Sequence, residues 1–191
     1  MYVELSAFKE YLGITTNDDD ALLYRLLGRA QTIFEGRTRH TFEAASDSTR
    51  YFDALLNTAG PILMLDAPLC AITTITNGDG SVIASDKYVT EPRNDTPYYA
   101  IRLRSSSGIS WKSSASGDSE NAIAITGRWA YSATAPDDVV DAVIDIATVL
   151  YRKKDNANDY GRTVVTQTST ILPGGVSATT IGTINRYRRL I

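Results

Sequence analysis

The chain has 191 residues, 43% hydrophobic and 21% charged, enough to bury a core and close to the averages of folded globular proteins. Cys70 is the only cysteine and His40 the only histidine, which excludes an intramolecular disulfide and any cysteine- or histidine-rich metal cluster. The formal charge of −3 argues against coating nucleic acid, and the absence of an apolar run of roughly 18 residues or of a basic-then-apolar leader gives the expectation of a soluble protein in a cytoplasm-like compartment.

The first predicted element is a short helix over Leu5–Leu12, with Ser6 as cap, Leu5, Phe8 and Leu12 on one face and Gly13 as the stop. A longer amphipathic helix follows from about Asp18 to Glu35. Asp18 to Asp20 complement the positive helix start, Leu22, Leu23, Leu26, Leu27, Ala30, Ile33 and Phe34 recur at helical spacing, and Gly36 ends it. From Thr49 to Gly127 the period changes to two. The runs at 49–53, 62–66, 71–77, 87–91, 98–103 and 121–127 read as strands of an antiparallel sheet, with Asn77-Gly78-Asp79-Gly80 as a tight hairpin turn. The Ser- and Gly-rich stretch 105–119 reads as an exposed loop in which Ile109 and Trp111 are the candidate anchors. A second long helix is predicted over Pro136–Lys153, opened by proline, Asp137 and Asp138 and closed by Arg152 and Lys153.

The fold class expected from this order is α+β. A small helical bundle (1–47 and 134–159) holds an inserted antiparallel β region (48–133), and an extended C-terminal arm (160–191) ends in a short helix capped by Ser177.

The arm differs in charge from everything before it. From Tyr160 onward there are four arginines and no acid, whereas the residues before it carry 15 basic against 22 acidic side chains. Its larger apolar side chains are few for a segment of 32 residues, and packing alone does not offset the entropy of ordering it. The arm is therefore expected to fold on a partner, as an added strand or a helix in a groove; the alternative is a terminal helix packed on its own domain. The candidate partner-binding residues are Leu172, Ile181, Ile184, Arg186, Tyr187, Arg188, Arg189, Leu190 and Ile191. The basic cluster Arg186–Arg189 has too few charges for a nucleic-acid footprint, and the apolar residues around it favour a groove on a protein.

Motifs for chemistry are weak. Ser6 and Lys9 have the S-x-x-K spacing of some acyl-transfer enzymes, but S-D-N and K-T-G partners are missing. Asp18-Asp19-Asp20 could offer oxygens to a hard cation, yet consecutive carboxylates on a helix diverge; Asn77 to Gly80 lacks the acids of a calcium loop. His40 lies beside Arg37 and Arg39 and suits a surface or interface residue, and phosphate-binding glycine loops are absent. No reaction, cofactor or metal is predicted. A small hydrolase built around His40 would need a serine or acids converging on it.

The segments LSAFKEYLGI, DDALLYRLLGRAQTIFEGRTRHTF, TRYFDA, LMLDAPLCAITTIT, ITGRWAYSATAPDDVVDAVIDIATVLYRK and INRYRRLI, in this order, resemble the phage head-to-tail connector (adaptor) proteins. The resemblance implies a non-enzymatic structural protein of the virion neck, assembled in the host cytoplasm. It implies a homo-oligomeric ring, expected to be a dodecamer, seated beneath the portal protein. On the same resemblance the arm is expected to reach into the portal, a head-closure or tail-completion protein to bind the tail side, and DNA to pass through the channel without sequence-specific binding or any membrane contact. A head-closure or tail-completion ring protein is the alternative within the same class. The β insertion and the 105–119 loop are longer here than in the smaller family members.

Overall fold

The computed structural model describes residues 1–153 and 172–188. The chain divides into two compact units, Met1–His40 together with Ala135–Ile191, and Thr41–Thr134.

In the first unit the helices are α1 (Leu5–Leu12), α2 (Asp20–Thr38), α3 (Asp137–Arg152) and α4 (Ala178–Tyr187). α2 packs along α3, α4 lies against both, and α1 lies against α2. The leucines of α2 face inward as their spacing predicts: Leu23, Leu26, Leu27, Ala30, Ile33 and Phe34 are buried, opposite Val139, Ala142, Val143, Ile146 and Ala147 of α3. No helix among the described residues is long and apolar enough to cross a membrane.

Helix ends depart from expectation in informative ways. Glu4, not Ser6, occupies the N-cap of α1, and Ser6 sits inside the first turn; Gly13 closes the helix in the left-handed region at φ 70° as predicted. α2 runs past Gly36 to Thr38, where Arg39 takes the left-handed position at φ 59° and its N–H reaches the Glu35 carbonyl at 2.7 Å. Burial of Thr38, whose hydroxyl donates to the Phe34 carbonyl at 2.9 Å, carries the helix through the glycine.

The second unit consists of β1 (Ser48–Phe52), β2 (Thr58–Ala59), β3 (Ile62–Leu69), β4 (Ala71–Thr76), β5 (Tyr88–Glu91), β6 (Tyr98–Leu103) and β7 (Ile123–Arg128). They form two antiparallel sheets, ordered β1-β7-β4 and β2-β3-β6-β5. The single sheet region read from the sequence is thus a pair. The chain passes from one sheet to the other at Cys70, whose backbone N–H bonds the Arg128 carbonyl at 2.9 Å. Phe52, Leu63, Leu65, Leu69, Ile75, Ile101, Leu103, Ile123 and Ile125 share one core, with Phe52 and Trp129 rings 5.8 Å apart.

The stretch 105–119 is not a free loop. Ile109 and Trp111 pack on this core, and the Trp111 indole N–H donates to the Pro61 carbonyl at 3.0 Å. The buried Asn77 side chain donates to the Ser110 carbonyl at 2.9 Å and accepts from the Lys112 N–H at 3.0 Å. Gly78 lies so close that a Cβ there would stand 2.0 Å from the Lys112 carbonyl oxygen. The Asn77–Gly80 turn forms as predicted, with Gly80 N–H on the Asn77 carbonyl at 2.9 Å, but it leads only to an isolated Thr76–Val82 bridge.

Candidate partner-docking surface

α4 begins where the sequence places its cap: Ser177 Oγ accepts from the Thr180 N–H at 3.2 Å. Its sequence makes a narrow amphipathic helix with Thr180, Thr183 and Ile184 buried, Tyr187 half-buried and the other positions exposed. Two carboxylates of α3, seven residues apart, hold its two ends. Asp145 Oδ2 accepts from the Ser177 N–H at 3.0 Å and the Thr180 hydroxyl at 2.7 Å. At the other end, Asp138 accepts from the Tyr187 hydroxyl at 3.1 Å, and Arg186 Nη2 stands 3.0 Å from Asp138 Oδ2 in an ion pair without hydrogen-bond alignment. Burial by itself would raise the Asp145 carboxyl. The bonds from Thr180 and Ser177 and the nearby Arg152 charge outweigh it and hold the group below its ordinary value.

The predicted partner-binding residues are therefore divided. Ile184 is 6% exposed and already spent on the helical unit, whereas Ile181 is 43% exposed. Leu172 and Tyr187 are half-buried, Arg186 and Arg188 are exposed, and Arg189, Leu190 and Ile191 lie outside the described residues. The expectation that the arm needs another protein to fold is corrected for residues 177–187. Asp138 and Asp145 of the same chain accept the hydrogen bonds that hold this helix. In the sequence Asp138 reads as a helix-dipole residue; its spacing of seven from Asp145, which puts the two acids on one face of α3, is the signal available.

The residues weighed for chemistry are held in structural pairs. Lys9 Nζ lies 2.6 Å from Asp20 Oδ1 and 2.7 Å from Asn17 Oδ1, tying α1 to the start of α2. Asp19 accepts from the Tyr151 hydroxyl at 2.8 Å. Among the described residues no three His, Cys, Asp or Glu side chains gather to hold a metal. Asp79 is paired with Lys112 at 2.7 Å, and His40 is buried.

This is an α+β protein whose helical bundle carries an inserted two-sheet unit and a helix laid back on the bundle. Its resemblance to the phage head-to-tail connectors is borne out: residues 2–67 match the family described as phage gp6-like head-tail connector protein. No curated protein matches the chain. Among solved structures, a chain in "Neck of empty GTA particle computed with C6 symmetry" is similar with a TM-score of 0.60 and 17% identity, over 100% of this chain and 91% of that one. A chain in "Virion of native gene transfer agent (GTA) particle" has a TM-score of 0.58 and 19% identity over the same shares. At these identities the likeness establishes the fold.

Proposed function

We propose that this chain is a structural subunit of the virion neck, a head-tail connector that assembles as a ring, expected to be a dodecamer, beneath the portal. The observation that carries the reading is the match of residues 2–67 to connector proteins, supported by a fold shared along the whole chain with a neck protein of a gene transfer agent. The C-terminal segment is the portal-binding element. With Ile184 and Tyr187 holding α4 on its own bundle, the candidates for the portal contact are the exposed Ile181 and Arg188, together with Arg189, Leu190 and Ile191, which lie outside the described residues. A tail-side head-closure or tail-completion protein binds the opposite side. DNA passes the ring without sequence-specific contact, and the acid excess before residue 160 suits a wall that does not grip phosphate.

Negative-stain imaging of the purified protein, alone and mixed with its portal, tests this. Rings that seat on the portal are expected; chains that stay monomeric and ignore the portal would overturn the reading. Rings that bind a tail-side protein but never the portal would favour the head-closure alternative.

A further inference from the structure

The inward face of α2 is spent on the bundle, and its outward face is of a different character. Ala21, Tyr24, Arg25, Arg29 and Thr32 follow at helical spacing and are exposed, Tyr24 by 59%, with Gly28 half-buried between them. Neither Arg25 nor Arg29 is engaged by a carboxylate or a hydrogen bond among the described residues. Two like charges four residues apart on one helix face repel slightly, and nothing in the described part of the free chain offsets this.

α3 carries the counterpart. Asp137 and Asp141 are exposed, also four residues apart, with the half-buried Val140 and Ile144 on the same face. Asp138 and Asp145, by contrast, are used by α4. A spacing of four is about 6 Å of helix rise in both cases, so the two arginines and the two aspartates are in register when the helices lie side by side. Tyr24 then falls against Val140 and Ile144, giving the contact an aromatic anchor on an apolar strip between charged pairs.

We infer that the occupant of the α2 outer face is the α3 outer face of a second copy of this chain, Arg25 and Arg29 meeting Asp141 and Asp137 of the neighbour. Each copy then offers one basic and one acidic helix face, and the contact is head-to-tail, the kind that closes into a ring. This rests on the ring reading above and names the surfaces that build it. A nucleic-acid partner is disfavoured because two arginines neutralise few phosphates on a chain of net charge −3, while a matching acid pair is present in the same unit.

The test uses the full-length chain and light scattering of the wild type, three variants and one mixture. R25E/R29E and D137K/D141K should each lose the oligomer, with the concentration for half-assembly rising roughly a hundredfold, because reversal sets like charges face to face. An equimolar mixture of the two should recover an oligomer of the wild-type mass, since the two altered faces complement each other and the two unaltered faces still do. The milder R25Q/R29Q, which leaves the helix start and the core untouched, should raise the half-assembly concentration by about tenfold, and circular dichroism should report the wild-type helix content throughout. Wild-type rings accompanied by variants that assemble equally well, or by a mixture that does not recover, would overturn this inference alone. So would an R25E/R29E ring that assembles normally but no longer retains DNA. A wild-type chain monomeric with and without portal would overturn the ring reading and this inference with it.

Discussion

Ile184→Ala separates a helix docked on its own bundle from one that folds only on a partner. The side chain is 6% exposed and lies between Asp145 and Asp138, the two acids that hold α4. Truncating a buried isoleucine to alanine costs about 2–5 kcal/mol, and a terminal helix at the margin of a bundle lets its neighbours relax, so about 2–3 kcal/mol is expected. Because α4 opens locally before the bundle does, the loss should appear as a 30- to 150-fold (on the order of) drop in amide-exchange protection over 179–187, with the β unit unchanged. Ile181→Ala, at a position 43% exposed, should change protection by less than about twofold. Gly182→Ala, where an added Cβ meets nothing within 4 Å, should raise it by up to about fivefold through helix propensity. Equal, small effects of the two isoleucine substitutions, or no protection in the wild type, would refute the docked arrangement and return α4 to the fold-on-binding reading.

The Asp145 clamp makes that protection pH-dependent. A carboxyl whose folded pKa is depressed contributes stability that is fully present above its unfolded value of 3.8 and is lost as pH falls through the lower folded value, so α4 protection should decline below about pH 4. Asp145→Asn should start lower at neutral pH and lose most of this acid-side slope; an unchanged profile would show that another group governs it. In the β unit, Gly78→Ala would place a Cβ 2.0 Å from the Lys112 carbonyl oxygen, and the expected cost is about 2–4 kcal/mol in thermal or urea unfolding of that unit. A near-neutral effect would mean that the 105–119 segment does not run along the turn.

Much of the fold is legible in sequence because amphipathic period alone decides it. Leu23, Leu26 and Leu27 of α2 and Val139, Val143 and Ile146 of α3 point to one side whatever they pack against, and both helices appear close to their expected bounds. Six of the seven strands are legible for the same reason, at period two, whereas β2, of two residues, is too short to show a period; Gly13 and Ser177 act locally as stop and cap. Strand partners are not local. β3 and β4 are separated by Cys70 alone, yet they join different sheets, and only the long-range pairing of β3 with β6 and β4 with β7 reveals it.

The sequence by itself determined the helical and extended segments, the inserted position of the β region, the charge contrast of the tail and the connector resemblance. Tertiary structure decided which polar groups spend one another. Asp138 and Asp145 meet Tyr187, Arg186, Ser177 and Thr180 across more than 30 residues of chain, turning a tail read as unsatisfied into a helix with its hydrogen bonds met. It also decided that Asn77 and Gly78 bind the serine-rich stretch to the β core. The reason is physical: propensity and periodicity act between residues a turn or two apart, whereas satisfaction of a buried hydrogen-bonding group depends on whichever distant segment the fold brings beside it.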